Sequence, residues 1–149
     1  MRSSRQRLFL TLLPLAAAAA AWAANTQVSV EKPIINFRLP AFTADGHRAW
    51  LVRGSEASVV SKSLINIREL TLSVFSVKDE AKVETMILSP AAQFLPDEAV
   101  ATGESTIRVI NDEFEATGSN WRYAHKEKTV SIAKNVRVVF NAELKDILK

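Results

Sequence analysis

Apolar and polar residues alternate along most of this chain with a period close to two, the signature of half-buried β-strands. The pattern begins in "IINFRLPAF" (34–42), where Pro40 predicts a break because proline cannot donate to a ladder. "FTADGHRAWLVRG" then reads as a hairpin. Asp45-Gly46 is a two-residue turn pair, since glycine adopts positive φ without a Cβ clash, and Trp50 and Val52 share one face of the returning strand while Leu51 takes the other. In "SLINIRELTLSVFS" (63–76) Ile65 and Ile67 hold one phase and Leu70, Leu72 and Val74 the other, so a bulge or bend is expected near Arg68-Glu69. Further strands are expected over 82–90, 98–110 and 113–124. In "KTVSIAKNVRVVF" (128–140) Val130, Ile132, Val136, Val138 and Phe140 fall on even positions; Lys134 interrupts them and predicts a kink. "NAELKDILK" (141–149) reads as one or two helical turns, with Asn141 as N-cap and Leu144, Ile147 and Leu148 on one face.

Strands recurring at short, regular intervals with turn residues between them predict an all-β sandwich or barrel; no stretch after residue 24 sustains a helical period. The chain also echoes itself. Laid over itself without gaps, "FLPDEAVATGESTIRVI" (94–110) matches "YAHKEKTVSIAKNVRVV" (123–139), pairing Phe94 with Tyr123 and Ile107-Arg108-Val109 with Val136-Arg137-Val138. A looser copy spans Val59 to Val74. One such unit cannot bury its own apolar face, so the units must stack.

Residues 1–24 stand apart. Arg2, Arg5 and Arg7 precede the apolar run Leu8–Ala24, and "AWA" (21–23) supplies a small-x-small cleavage signal, the pattern of a secretory signal peptide. A segment that stays uncut as a membrane anchor is the alternative; the run is at the short end for a span. The segment also changes the charge balance. The chain has 19 Lys+Arg and 16 Asp+Glu, but three arginines and no acids lie in residues 1–24. Residues 25–149 therefore carry 16 of each sign, and the basic pI near 9.4 belongs to the leader. That removes the electrostatic footprint of a nucleic-acid binder. With no cysteine and two histidines, neither a disulfide framework nor a transition-metal site is indicated.

Catalytic patterns are equally thin. His47 and His125 read as solvated turn residues with no nucleophile at a suggestive spacing. Asp79-Glu80, Asp97-Glu98 and Asp112-Glu113 fall between strands, where polar turn residues belong, and no Gly-x-Ser-x-Gly elbow or phosphate loop occurs. The four glycines, at 46, 54, 103 and 118, sit where strands should turn or kink. Arg108 and Arg137 project opposite to their apolar neighbours, either as a solvated face or as a row that meets phosphates or an acidic partner.

"FTADGHRAWLVRGSEA" followed by "INIRELTLSVF" resembles the N-terminal half of the LptC family of periplasmic lipopolysaccharide-export proteins, through Asp45, Gly46, Trp50 and Leu70 to Phe75. The stretch from "ILSPAAQFL" to "KNVRVVF" is similar to the family's second half and to the related LptA/OstA-like domain, through Ser89, Ala92, Phe94, Gly103, Gly118, Trp121 and Tyr123. The resemblance covers residues 34–140. It implies one domain over 25–149, a twisted open β-jellyroll of antiparallel strands that stacks edge to edge with partner jellyrolls and an inner-membrane ABC transporter. It further implies lipopolysaccharide acyl chains carried in an apolar interior, with no catalytic residue and no cofactor. The inward candidates for lipid binding are then Trp50, Leu70, Leu72, Val74, Ile107, Val109, Trp121, Tyr123, Val136, Val138 and Phe140. The family keeps an N-terminal membrane helix where this chain has a cleavable-looking segment, so a soluble periplasmic protein and an anchored one are both open. Two other classes remain: an adaptor β-module that binds only protein through its edges, and a small exported hydrolase using its histidines.

Overall fold

The fold is given by a computed structural model that describes residues 32–79 and 81–141. The expected leader (1–24) and residues 142–149 of the expected C-terminal helical turn lie outside the described residues. Seven strands follow in order: β1 (Ile34–Phe42), β2 (Arg48–Ser61), β3 (Leu64–Phe75), β4 (Val83–Leu95), β5 (Val100–Asn111), β6 (Phe114–Ala124) and β7 (Thr129–Phe140). They form one antiparallel sheet in sequential order. Among the described residues only neighbouring strands touch through their backbones, so β1 and β7 do not pair to close a barrel. The result is an all-β, open sheet of the β-jellyroll kind.

The sheet bends where its ladders are interrupted at a common height. Asn36 (β1), Glu69 (β3), Asn120 (β6) and Asn135 (β7) have positive φ, between 49° and 55°. The ladder shifts register between Leu88 and Gln93, Gly103 and Thr106, and Thr117 and Ser119. An extra residue bends a strand and raises its twist; the shifts from β4 to β7 and the skipped pairs from β1 to β4 fall at one height and make a transverse crease. On one side of it lies a first layer (48–53, 70–75, 83–89, 107–111, 114–117, 137–140), on the other a second (56–61, 64–68, 91–95, 100–103, 121–124, 129–132). The layers face each other across a common core. Trp50 of the first meets Phe94 of the second edge-on, with ring centroids 5.2 Å apart.

A bend of this kind requires the apolar phase to switch, or half the apolar residues would point to solvent. It does switch. Ile65 and Ile67 are buried before the crease and Leu70, Leu72 and Val74 after it; Ala116 gives way to Trp121 and Tyr123 in the same manner. The phase change expected near Arg68-Glu69 and the kink expected at Lys134 are both features of this crease. Bulging also strips carbonyls of their ladder partners, and two serines replace the lost donors. The buried Ser89 Oγ donates to Thr106 O at 2.7 Å, and Ser105 Oγ donates to Ala91 O at 3.1 Å.

The internal echo is real at the level of turn geometry. Ala99 and Lys128 have φ of 54° and 55°. Their N–H groups bond Pro96 O at 3.1 Å and His125 O at 3.2 Å, the same tight closure in both copies.

Three sequence expectations need correction. β1 is not broken at Pro40, which pairs with Leu51 inside a continuous strand. An edge strand has N–H positions with no neighbour to serve, so a missing donor costs little there. β4 does not stop at 90 but runs through Pro90 to Leu95, because Pro90 falls at the crease, where the ladder already skips a pair. The first hairpin loop is longer than the pair Asp45-Gly46. Thr43 N–H bonds His47 O at 2.8 Å and Gly46 N–H bonds Thr43 O at 3.0 Å, with Gly46 at φ +84°. The loop is Ala44-Asp45-Gly46, a tight turn followed by a left-handed glycine.

Candidate functional site

The core is dense at one end and open at the other. Val52, Ile67, Leu70, Leu72, Ile87 and Phe94 are fully buried between the layers near β2, β3 and β4. Toward β7, the last strand of the sheet among the described residues, the apolar surface continues with no described residue covering it. Val109, Phe114, Ala116, Val130, Ile132, Val136, Val138 and Phe140 line a groove of about 270 Å³ there. Val130 and Ile132 come from the second layer, Val136 lies beside the crease and the others come from the first, so the groove is the unfilled end of the interlayer space. Phe114 and Phe140, directly paired across β6 and β7, form its rim with ring centroids 6.3 Å apart.

The eleven inward candidates divide accordingly. Trp50, Leu70, Leu72, Val74, Ile107, Val109, Trp121 and Tyr123 are buried core residues, each at most 7 % exposed. Val136, Val138 and Phe140 are 53 %, 43 % and 69 % exposed, although they share the groove with buried Val109 and Ala116. Only Val109 among the buried eight touches the groove; the rest pack against one another. Sequence reasoning missed Phe114, Ala116, Val130 and Ile132 as groove residues. A usable signal existed for Val130 and Ile132, which share the parity of Val136, Val138 and Phe140.

A polar group sits at and beside the β6–β7 turn, next to the strands that line the groove. His125 is half-buried rather than a solvated turn residue: its ring lies 6.5 Å from Trp50, and Tyr123 Oη is 2.9 Å from Nδ1. Lys128 Nζ lies 3.3 Å from Nε2. An ammonium has no acceptor, so Nε2 must accept, and the ring proton then sits on Nδ1 and is donated to Tyr123 Oη. Burial, and then the Lys128 charge, push the His125 pKa below its ordinary value. Burial, with a smaller effect of Glu84, pushes the Tyr123 phenol up to about 12. Trp121 Nε1 is buried without an acceptor among the described residues and stands over Gly103.

The outer face behaves differently. Arg108 bonds Glu115 in a two-pronged pair, Nε to Oε1 at 2.6 Å and Nη2 to Oε2 at 3.1 Å. The hydrogen bond and charge of Arg108 hold the Glu115 carboxyl below its usual range. Among the described residues, no three His, Asp or Glu side chains gather as a metal would require. No protein-family model matches this chain and no curated protein matches it, which leaves the geometry above as the ground for a functional reading.

Proposed function

We propose that this protein is a periplasmic carrier in lipopolysaccharide transport from the inner to the outer membrane, holding acyl chains in the apolar groove at β7 and stacking edge to edge with partner β-jellyrolls. The observation that carries the reading is the groove: side chains of the inward phase, continuous with the core, left open to solvent on the last strand. Large contiguous apolar patches exposed on a folded domain are a feature of binding sites. The resemblance to the LptC family, the export pattern of residues 1–24 and the β1 and β7 edges, which no described strand pairs on the outer side, support the same reading. An unpaired edge can take a neighbour's strand by main-chain pairing, which is how the jellyrolls and an inner-membrane ABC transporter would be joined.

The groove's 270 Å³ admits on the order of ten methylene-sized groups, taking each as about the 30 Å³ of a water molecule. Full burial is worth about 0.8 kcal/mol per CH₂. A trough open on one side covers about half of a chain, so roughly 4 kcal/mol is available, a millimolar hold. That suits a component that passes its cargo on rather than storing it.

The test is photo-crosslinking in cells from Val109 and Val138 in the groove, with Leu72 in the closed core as reference. Lipid adducts are expected at the first two and not at the third. Folded protein with no lipid adduct at either groove position refutes the carrier role. The two free edges also favour a second reading, an adaptor that binds only protein by strand addition; it predicts no lipid in native, detergent-free mass spectra.

A further inference from the structure

We propose that the outer face of the first layer docks on the surface of an anionic phospholipid bilayer. Strand register places Arg38, Arg53, Thr71, Leu88, Arg108, Thr117 and Arg137 in one transverse row, each directly opposite the next across all seven strands. At about 4.8 Å per strand the row is roughly 29 Å long. All four arginines are exposed.

The row concentrates positive charge on one exposed line of the sheet. Arg38 and Arg53 face one another on adjacent strands, where like charges repel. Among the described residues Arg108 is ion-paired with Glu115, whose carboxylate also feels the Arg137 charge, while Arg38 and Arg53 have no ion pair. Residues 25–149 have equal numbers of acidic and basic side chains, so this concentration is a matter of placement and not of composition. An external anion relieves it.

The neighbouring row identifies the kind of anion. Two residues along each strand, about 6.8 Å away, the same face presents Pro40, Leu51, Met86, Ile110 and Val139, interrupted by Ser73 and Glu115. Leu51, Met86 and Ile110 are half-buried and Val139 is 48 % exposed. A guanidinium row beside an apolar row matches the boundary between phosphates and acyl chains. Arginine grips phosphate with two parallel donors while its stem lies on apolar surface. An acidic protein would use the arginines but not the apolar row, and a single phosphate would not use a row of this length. On β7 the inward Val136 and Val138 alternate with the outward Arg137 and Val139, so a docked bilayer leaves the groove uncovered.

The experiment is co-sedimentation of the exported form, residues 25–149, with vesicles of phosphatidylcholine, with or without phosphatidylglycerol, at low salt; without residues 1–24 the protein has no basic apolar leader that would bind vesicles by itself. Each arginine near an anionic surface is worth roughly fivefold in binding, so Arg38→Gln, Arg53→Gln and Arg137→Gln together lower affinity for the anionic vesicles on the order of a hundredfold. Val139→Ser lowers the same affinity severalfold and leaves any retention on immobilised poly-glutamate unchanged. A triple variant that sediments like wild type overturns the proposal. So does retention on poly-glutamate without vesicle binding, which assigns the row to an acidic protein, or full competition by millimolar inorganic phosphate, which assigns it to a lone anion. If the triple variant loses its folded circular-dichroism spectrum, Arg137→Gln alone is the test, with a roughly fivefold loss expected and no loss refuting.

Discussion

Gly118 lies on the crease in β6, and adding one methyl group there tests whether the bend is close-packed. A Cβ built on Gly118 overlaps Ile132 Cγ2 and stands 2.8 Å from the Lys134 carbonyl oxygen. Ile132 is partly exposed and can rotate, but the carbonyl belongs to the bulged β7 backbone and cannot yield without opening the crease. Overpacking of this kind costs about 1–3 kcal/mol, and contact with fixed backbone places Gly118→Ala at about 3 kcal/mol. Gly46→Ala is the control. Nothing lies within 4 Å of a Cβ at Gly46, and its φ of +84° is the whole obstacle. That conformational penalty is about 1 kcal/mol. For a domain between the roughly 60–100 and 150–250 residue classes, 1 kcal/mol moves the melting temperature by about 4 °C. The expectation is a fall of about 12 °C for Gly118→Ala and about 4 °C for Gly46→Ala, read by thermal circular dichroism. Because Ile132 lines the groove, any lipid crosslinking from Val138 should fall with the first variant and not with the second. Equal melting temperatures would show that the two halves of β6 and β7 are not held in contact at the bend, and the interlayer groove would lose its geometric basis.

Two further outcomes follow from the same structure. Leu72→Ala, at a fully buried site, should cost about 2–5 kcal/mol in urea unfolding, whereas Val138→Ala on the open groove should cost under about 1 kcal/mol; near-equal costs would mean that β7 is packed like the core. The His125 pKa is lower folded than unfolded, so the unfolded chain takes up the proton first. Stability should be flat above the ordinary value near 6.5 and fall as pH drops through it toward the folded pKa, and His125→Gln should remove that part of the slope. A ring signal that titrates at or above 6.5 in NMR would contradict the buried, Tyr123-bonded histidine.

What could be read from the sequence was what local chemistry dictates. Alternation exposed the strands, and the switch from Ile67 to Leu70 exposed the bend, because a sheet residue can change face only through an irregular backbone. Lys134 gave the matching bend in β7. The terminal position of β7 was also legible, but its consequence was not. Val136, Val138 and Phe140 have the same pattern as Ile107 and Val109, and nothing local distinguishes an apolar strand with a neighbour beyond it from one without. Burial depends on what covers a residue, which is a property of sheet order. His125 illustrates the same point from the polar side. Its neighbours Lys126, Glu127 and Lys128 read as a solvated turn, yet Trp50, from the far end of the chain, meets it across the interlayer space. The arginine row needs register as well as order: Arg38, Arg53, Arg108 and Arg137 are ordinary surface residues singly, and they become one surface only because every hairpin between them keeps its pairing.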